Sequence, residues 1–374
     1  MTAIEWCHRP GTVARTWNPT KGCSRISEGC RHCYAEAQAA RIVRMGKGKP
    51  TPYDGLVKTV NGEARWTGAV RLVPETLAQP LSWKQPSTVF VDSMSDLFHE
   101  SLTNEQIAAV YGVMAACPQH TFIVLTKRAR RRREWFRWAD KVGGGFDLMR
   151  YGPSGLLTCA WEACAGNAWG DDDPPERLGS VPGPDTFGTQ WPLPNVWEGV
   201  SVENQNAADE RIPELLQTPA ALRFLSCEPL LGPLDLTDRL GVWTSCPECG
   251  RNVSVDEDGC CTGCGRDAVY FGVDWVIAGC ESGPGMRPCA TSWLASLRDQ
   301  CAAAEVPFFL KQAHPWTWVD GAKPPGHGKD EGDGAISFGE GSKRKPGGVI
   351  GLPYLDGVQW AQFPKVQAEL TLSQ

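Results

Sequence analysis

Six short runs of apolar and β-branched residues, at 89–91, 121–125, 196–200, 222–225, 274–278 and 307–310, constrain this chain most. Continuous apolar strands of about five residues suit a parallel sheet covered on both faces. Parallel neighbours need a long crossover, and the gaps carry helix-like patterns at 104–116, 128–141, 206–216 and 292–304. Thr103 is placed to cap the first of these helices, and Thr291 or Ser292 the last. Strands near Thr16-Trp17 and at 69–72 bring the count to about eight β/α units. The expected fold is α/β: a (β/α)8 or incomplete TIM-like barrel, with residues 1–374 as a single barrel domain.

Polar residues follow most of the strand runs. They are Asp92-Ser93 with Asp96, Thr126-Lys127-Arg128, Ser201 with Glu203-Asn204, Glu228, Glu281-Ser282 and Lys311-Gln312. In a barrel such positions gather on the C-terminal face, where active sites sit. Any single one of them is equally well a helix cap or a turn residue.

With 41% apolar residues and 16 Trp, the chain has the composition of a folded protein. Forty-three acidic against 37 basic residues leave a formal charge of -6, which excludes a global basic footprint but not a local patch. No run approaches the roughly 18 apolar residues that span a bilayer. The N-terminus has neither the basic region nor the apolar core of a signal peptide. A cytoplasmic protein with no membrane partner is expected.

Three stretches interrupt the β/α rhythm. Residues 143–194 are rich in Gly, Pro and acid and read as a flexible insertion. It carries Cys159 and Cys164, whose spacing suits buried thiols as well as metal. Residues 243–270 hold a cysteine cluster, and residues 320–348 form a Gly/Lys/Pro-rich loop expected to be mobile.

Sixteen cysteines in a long chain without an export signal do not make a disulfide scaffold. Their clustering points to metal. Cys23, Cys30 and Cys33 stand at spacing C-x6-C-x2-C. Three thiolates are one short of filling a [4Fe–4S] cluster or a tetrahedral zinc site. On a cluster, the iron without a cysteine can bind a small molecule. On zinc, His32, Cys7 or His8 would complete the set, and three buried, unliganded cysteines are the bland alternative. Cys246, Cys249, Cys261 and Cys264 form two C-x2-C knuckles, each followed by Gly, the pattern of a structural zinc ribbon inserted at 243–270. Cys260 is an alternative ligand to Cys261. The ribbon is either a stapled surface loop or a holder of nucleic acid or a protein partner.

The first cluster resembles the cysteine motif of radical S-adenosylmethionine enzymes, usually C-x3-C-x-aromatic-C, in the loop after the first barrel strand. The first gap here is six residues rather than three. The chain is also identified as a member of a phage-associated family of unknown function with the same three-cysteine motif. The matching segments are 16–23, 91–98, 125–128, 199–204, 227–233 and 279–284. The resemblance implies a barrel of radical S-adenosylmethionine type and, for a phage-encoded protein, action in the host cytoplasm. It implies a [4Fe–4S] cluster on Cys23, Cys30 and Cys33 whose open iron takes S-adenosylmethionine, and an electron donor. His32 would sit beside adenine, next to Tyr34. Lys127 or Arg128 would contact the carboxylate or a substrate anion. Asp92, Ser93 or Asp96, with Glu203, Asn204 and Glu228, would hold ribose hydroxyls or the amino group. Glu281, Ser282 and Gly283 would approach the nucleoside, with Glu281 grouped among the catalytic candidates.

The one dense basic run, 127–138, is followed by Trp135 and Trp138 at helical spacing. It reads as a solvated helix face, or as a phosphate-contacting patch. The leading expectation is a radical enzyme that generates a 5′-deoxyadenosyl radical and modifies nucleic acid or a nucleotide. The alternative is a non-catalytic, metal-stabilised module that binds nucleic acid or protein. A metal-dependent hydrolase is disfavoured, because only six His are present and no His-x-His or His-Glu-x-x-His occurs.

Overall fold

The structure, a computed structural model, describes residues 2, 4–145, 192–246, 250–251, 262, 269–283, 285–313, 336–338, 343–345, 348–350 and 352–364. It divides into two compact units, Met1–Ser201 with Gln217–Ala221 and Val202–Leu216 with Leu222–Gln374.

The first unit carries four strands: β1 (Val13–Trp17), β2 (Ser87–Val91), β3 (Thr121–Thr126) and β4 (Val196–Ser201). Each pairs in parallel with the next, with Trp17 opposite Val91 and Val91 opposite Val124. That register brings the C-terminal ends of the first three strands level. Every residue of β2 and β4 is buried, as the unbroken apolar runs require. Its helices are α1 (Tyr34–Met45), α2 (Asn104–Ala115) and α3 (Ala129–Gly145). Thr103 caps α2 in a reciprocal box with Gln106, as its position predicts. Trp17, Phe98, Phe122, Trp135 and Phe136 anchor the core between α2, α3 and the sheet.

The second unit carries β5 (Leu222–Cys227), β6 (Trp275–Gly279) and β7 (Phe308–Gln312), with β6 parallel to both neighbours. Its helices are α4 (Gln205–Leu216) and α5 (Thr291–Ala303). Within each unit the strands follow one another in chain order, β1 to β4 in the first and β5 to β7 in the second, the order of an incomplete α/β barrel.

Two local expectations are corrected. The run at 69–72 does not supply an eighth barrel strand: only Arg71–Leu72 is extended, antiparallel to Thr20–Lys21 in a separate two-stranded ribbon. Arg71 lies mid-run and donates to the carbonyls of Pro52 and Asp54 at 3.1 and 2.8 Å, which keeps this strand at the surface. Helix α5 begins at Thr291 behind Ala290, so neither Thr291 nor Ser292 is its cap.

Gly241–Cys246 pairs antiparallel with Val269–Val273 and Gly250–Arg251 at the base of the expected ribbon. Cys249, Cys260, Cys261 and Cys264 lie outside the described residues, as do Cys159, Cys164 and most of the insertion at 143–194. Within 320–348 the described residues are strands: Ile336–Phe338 pairs with Pro353–Leu355, and Lys343–Lys345 with Gly348–Ile350. Among the described residues, no helix is long and apolar enough to cross a membrane.

Candidate functional site

The chain that leaves β1 is stitched to the chain that leaves β2. Asn18 Oδ1 accepts from Ser93 Oγ at 3.1 Å and from the Met94 N–H at 2.9 Å. The N–H and the hydroxyl of Thr20 lie 3.1 and 2.8 Å from the Asp92 carboxyl. Ser95 Oγ donates to the Gly22 carbonyl at 2.7 Å. Gly22 then turns at φ +94°, where a Cβ would meet the Ala69 carbonyl oxygen at 2.2 Å, so only glycine fits ahead of Cys23.

Three thiols follow on this braced loop. Cys23 and Cys33 pack against a small apolar cluster of Ala35, Ala39, Tyr53, Leu56, Trp66 and Met94. Cys30 closes the single turn Glu28–Cys30, with its sulfur 3.8 Å from Ser27 Oγ. Cys33 occupies the residue before α1. Burial pushes the Cys23 thiol up to about 12, with the Asp96 charge adding to the shift and the Arg128 guanidinium opposing it. Burial also raises Cys33, while the N–H groups of Ala35 and Glu36 at the helix start and the Lys127 ammonium favour its thiolate. Without metal these two thiols hold their protons at neutral pH, and a metal would have to displace them.

Arg128 ties the loop to the ends of β2 and β3. Its Nε donates to the Glu100 carboxylate at 2.9 Å, its Nη1 to Asp96 at 3.0 Å and to Cys23 Sγ at 3.8 Å, and its Nη2 to Ser24 Oγ at 2.8 Å. Asp96 also accepts from Thr126 Oγ1 at 2.7 Å and from the N–H groups of Phe98 and Lys127. Ser24 Oγ lies 2.9 Å from His99 Nε2. On the opposite side of the motif, buried Glu36 pairs with Arg25 and accepts the Trp66 N–H at 3.0 Å. Sequence reasoning missed Asn18, Thr20, Ser24, Arg25, Glu36, His99 and Glu100, because all but the Arg25–Glu36 pair act through partners far along the chain. Arg25, inside the cysteine motif with a carboxylate one helical turn beyond it, was the readable signal.

Lys127 is half-buried and makes no ion pair among the described residues, although its charge reaches Cys33. Tyr34 is 60% exposed, and its hydroxyl donates to the Ser93 carbonyl. His32 is half-buried beside it. Cys7 is fully buried, and His8 Nε2 lies 3.0 Å from the Thr2 carbonyl.

Among the described residues, no group of three or more His, Cys, Asp or Glu side chains converges as ligands of one ion. A cubane asks for something different, because each thiolate binds a different iron. Three soft donors on one loop, two of them pressed against an apolar cluster with N–H groups and cations turned toward their sulfurs, fit that demand chemically.

Apart from Ser201, buried at the end of β4, the remaining strand-end residues belong to the second unit, and each carboxylate among them already has a cation. Glu203 pairs with Arg211 at 2.8 Å, both deeply buried. Glu228 accepts from Lys311 Nζ at 2.7 and 2.9 Å and from Gln312 Nε2 at 2.8 Å. Glu281 accepts from Arg287 through its backbone N–H at 2.8 Å and Nε at 3.0 Å. Asn204 accepts the Ala207 N–H at the start of α4. Ser282 is exposed, and Gly283 turns at φ +102°.

The basic run 127–138 is mostly consumed by structure. Arg131 holds Asn104 at 2.7 Å, Arg133 holds Gln217 at 2.7 Å, and Arg132 is buried against Glu198 and the Gly199 carbonyl. Trp135 is fully buried, as the helical spacing predicts.

A family model of proteins of unknown function, DUF5131, matches residues 1–364, the cysteine loop and all seven strands included. The chain belongs to that family. No curated protein and no solved structure matches it.

Proposed function

We propose that Cys23, Cys30 and Cys33 hold an oxygen-sensitive [4Fe–4S] cluster, and that the chain is an enzyme of radical S-adenosylmethionine type, phage-associated and acting in a cytoplasm. The observation that supports this is the three-thiol loop at the C-terminal end of β1, clamped by Arg128 and Gly22 to the ends of the neighbouring parallel strands. When bound, a reduced cluster supplies the electron that splits S-adenosylmethionine into methionine and a 5′-deoxyadenosyl radical.

The chain's own residues position and exclude. Arg128 is a positioning residue, since its donors are committed to Glu100, Asp96, Ser24 and Cys23. Lys127 is the cation left to meet a carboxylate or a substrate anion. His32 flanks the motif as the adenine contact, with Tyr34 next to it. Asp92 and Ser93 support the loop directly, at Thr20 and Asn18, and Asp96 supports it through Arg128. To use Glu203, Glu228 or Glu281, a nucleoside would have to displace Arg211, Lys311 or Arg287. Asn204, Ser282 and Gly283 carry no such ion pair. Cys246, Cys249, Cys261 and Cys264 hold a structural zinc on this reading.

The test is anaerobic purification with iron, sulfide and zinc analysis, then dithionite and S-adenosylmethionine. About four irons per chain and formation of 5′-deoxyadenosine are expected. Cys30→Ala keeps the fold and loses both. Zinc at both cysteine clusters with no cleavage would sink the radical reading and leave a metal-stapled binding module.

A further inference from the structure

Helix α1 leaves the cysteine loop and buries one side only. Ala35, Glu36 and Ala39 are buried, and Ile42 and Val43 pack against the same apolar cluster as Cys23 and Cys33. The opposite face presents Tyr34, Gln38, Arg41 and Met45, each three or four residues after the last and all exposed. Tyr34 and Met45 are 60% and 66% exposed, the two most exposed large hydrophobic side chains among the described residues. Arg44, Lys47 and Lys49 extend the exposed positive charge past the helix end. Glu36, the one acidic residue between 34 and 49, is buried against Arg25 and cancels none of it.

A chain of net charge -6 thus concentrates four exposed cations on one helix and its exit, with an exposed aromatic ring at the helix's other end, beside the thiols. Cations spaced along a helix and its exit suit a backbone of repeated negative charge, and an exposed aromatic ring suits a base that stacks. An acidic protein surface would satisfy the cations but gives Tyr34 no flat partner. We propose that the exposed face of α1, from Tyr34 through Lys49, binds single-stranded nucleic acid and leads it toward the cysteine loop. As the substrate class of the enzyme this rests on the function proposed above; as a binding surface it does not.

The experiment uses the full chain with its metal loaded anaerobically, and a fluorescent single strand of mixed sequence as the probe. Four phosphate contacts predict that log K falls with log salt at a slope of about -3. Replacing all four cations (Arg41→Gln, Arg44→Gln, Lys47→Gln, Lys49→Gln) should lower affinity at low salt at least about tenfold and flatten that slope. Tyr34→Ala should weaken binding about tenfold with the slope kept, because stacking releases no counterions. Lys47→Gln with Lys49→Gln, placed after the helix, gives a half-sized effect while every residue of the helix itself stays in place.

No binding at low salt, equal affinity in the fourfold variant, or equal competition by polyglutamate would overturn the proposal. Iron content and 5′-deoxyadenosine are scored on the same samples. A protein that cleaves S-adenosylmethionine without binding the strand refutes the surface alone, and one that binds without iron refutes the enzyme alone.

Discussion

The two units end their strands in polar residues that look alike in sequence and behave differently in space. In the first unit, Asp92 and Arg128 bond a neighbouring loop, with Asp96 holding Arg128 in place, and that loop carries the thiols. In the second, Glu203, Glu228 and Glu281 are each neutralised by a cation of the same unit. The first arrangement is a brace, in which buried charge fixes the position of something else. The second is self-contained, and closes on itself without presenting a reactive group. A polar strand end therefore marks a site only when its bonds leave its own neighbourhood and arrive at chemistry.

Removing one cation from each unit gives the largest contrast. Arg128 is 3% exposed and leaves Asp96 buried without its countercharge, so Arg128→Ala should cost about 3–5 kcal/mol. Lys311 and Glu228 are 20% and 16% exposed, water can reach both, and Lys311→Ala should cost about 1 kcal/mol. Urea unfolding of both variants checks the order. Equal costs would mean that the brace is no more than another ion pair.

Gly22→Ala comes next. The added methyl must push the Ala69 carbonyl away from 2.2 Å and occupy φ +94°, a strain of about 1–3 kcal/mol. The same change at Gly283, where φ is +102° but nothing lies within 4 Å of a Cβ, carries only the backbone part of that strain. Iron content should drop in Gly22→Ala and hold in Gly283→Ala. Unchanged metal loading in the first would show that the thiol loop needs no exact path.

The unbroken apolar runs made the parallel sheet legible, because burial on both faces leaves no room for alternation; β2 and β4 are the clearest cases. The run at 69–72 misled for the same reason in reverse: Arg71 is inside it, and a guanidinium aimed at surface carbonyls cannot lie between two layers. Cys23, Cys30 and Cys33 were readable as a motif, since spacing is local. Their support was not. Glu36 meets Arg25 across 11 positions, but Ser24 meets Arg128 across 104, and no periodicity encodes a bond of that length. The basic run shows the limit of composition: seven cations in 127–137 read as a patch, yet five of them, Arg128 and Arg130–Arg133, bond backbone or side chains of their own unit.

The finest test is a pH dependence, and it asks whether the brace is held by charge or by a shared proton. Thr20 has one hydroxyl proton and two acceptors at 2.8 Å, Asp92 Oδ2 and Ser95 Oγ, while the Ser95 proton is committed to the Gly22 carbonyl. The count closes if Asp92 carries a proton and donates it to Thr20, which donates to Ser95, which donates to Gly22. Burial of Asp92 favours the same state, raising it from 3.8 to about 7 against the opposing bonds from Thr20. The folded protein therefore binds this proton at pH values where the unfolded chain has released it. Stability should fall as pH rises between about 4 and 7, by at most about 1.4 kcal/mol per pH unit. Asp92→Asn offers an acceptor to the Thr20 N–H and a donor to its hydroxyl at every pH. The difference in unfolding free energy between the two proteins should thus grow in favour of Asn as pH rises through the window. A flat difference would mean that Asp92 is ionised in the fold and that Lys21, whose charge favours that form, holds it there.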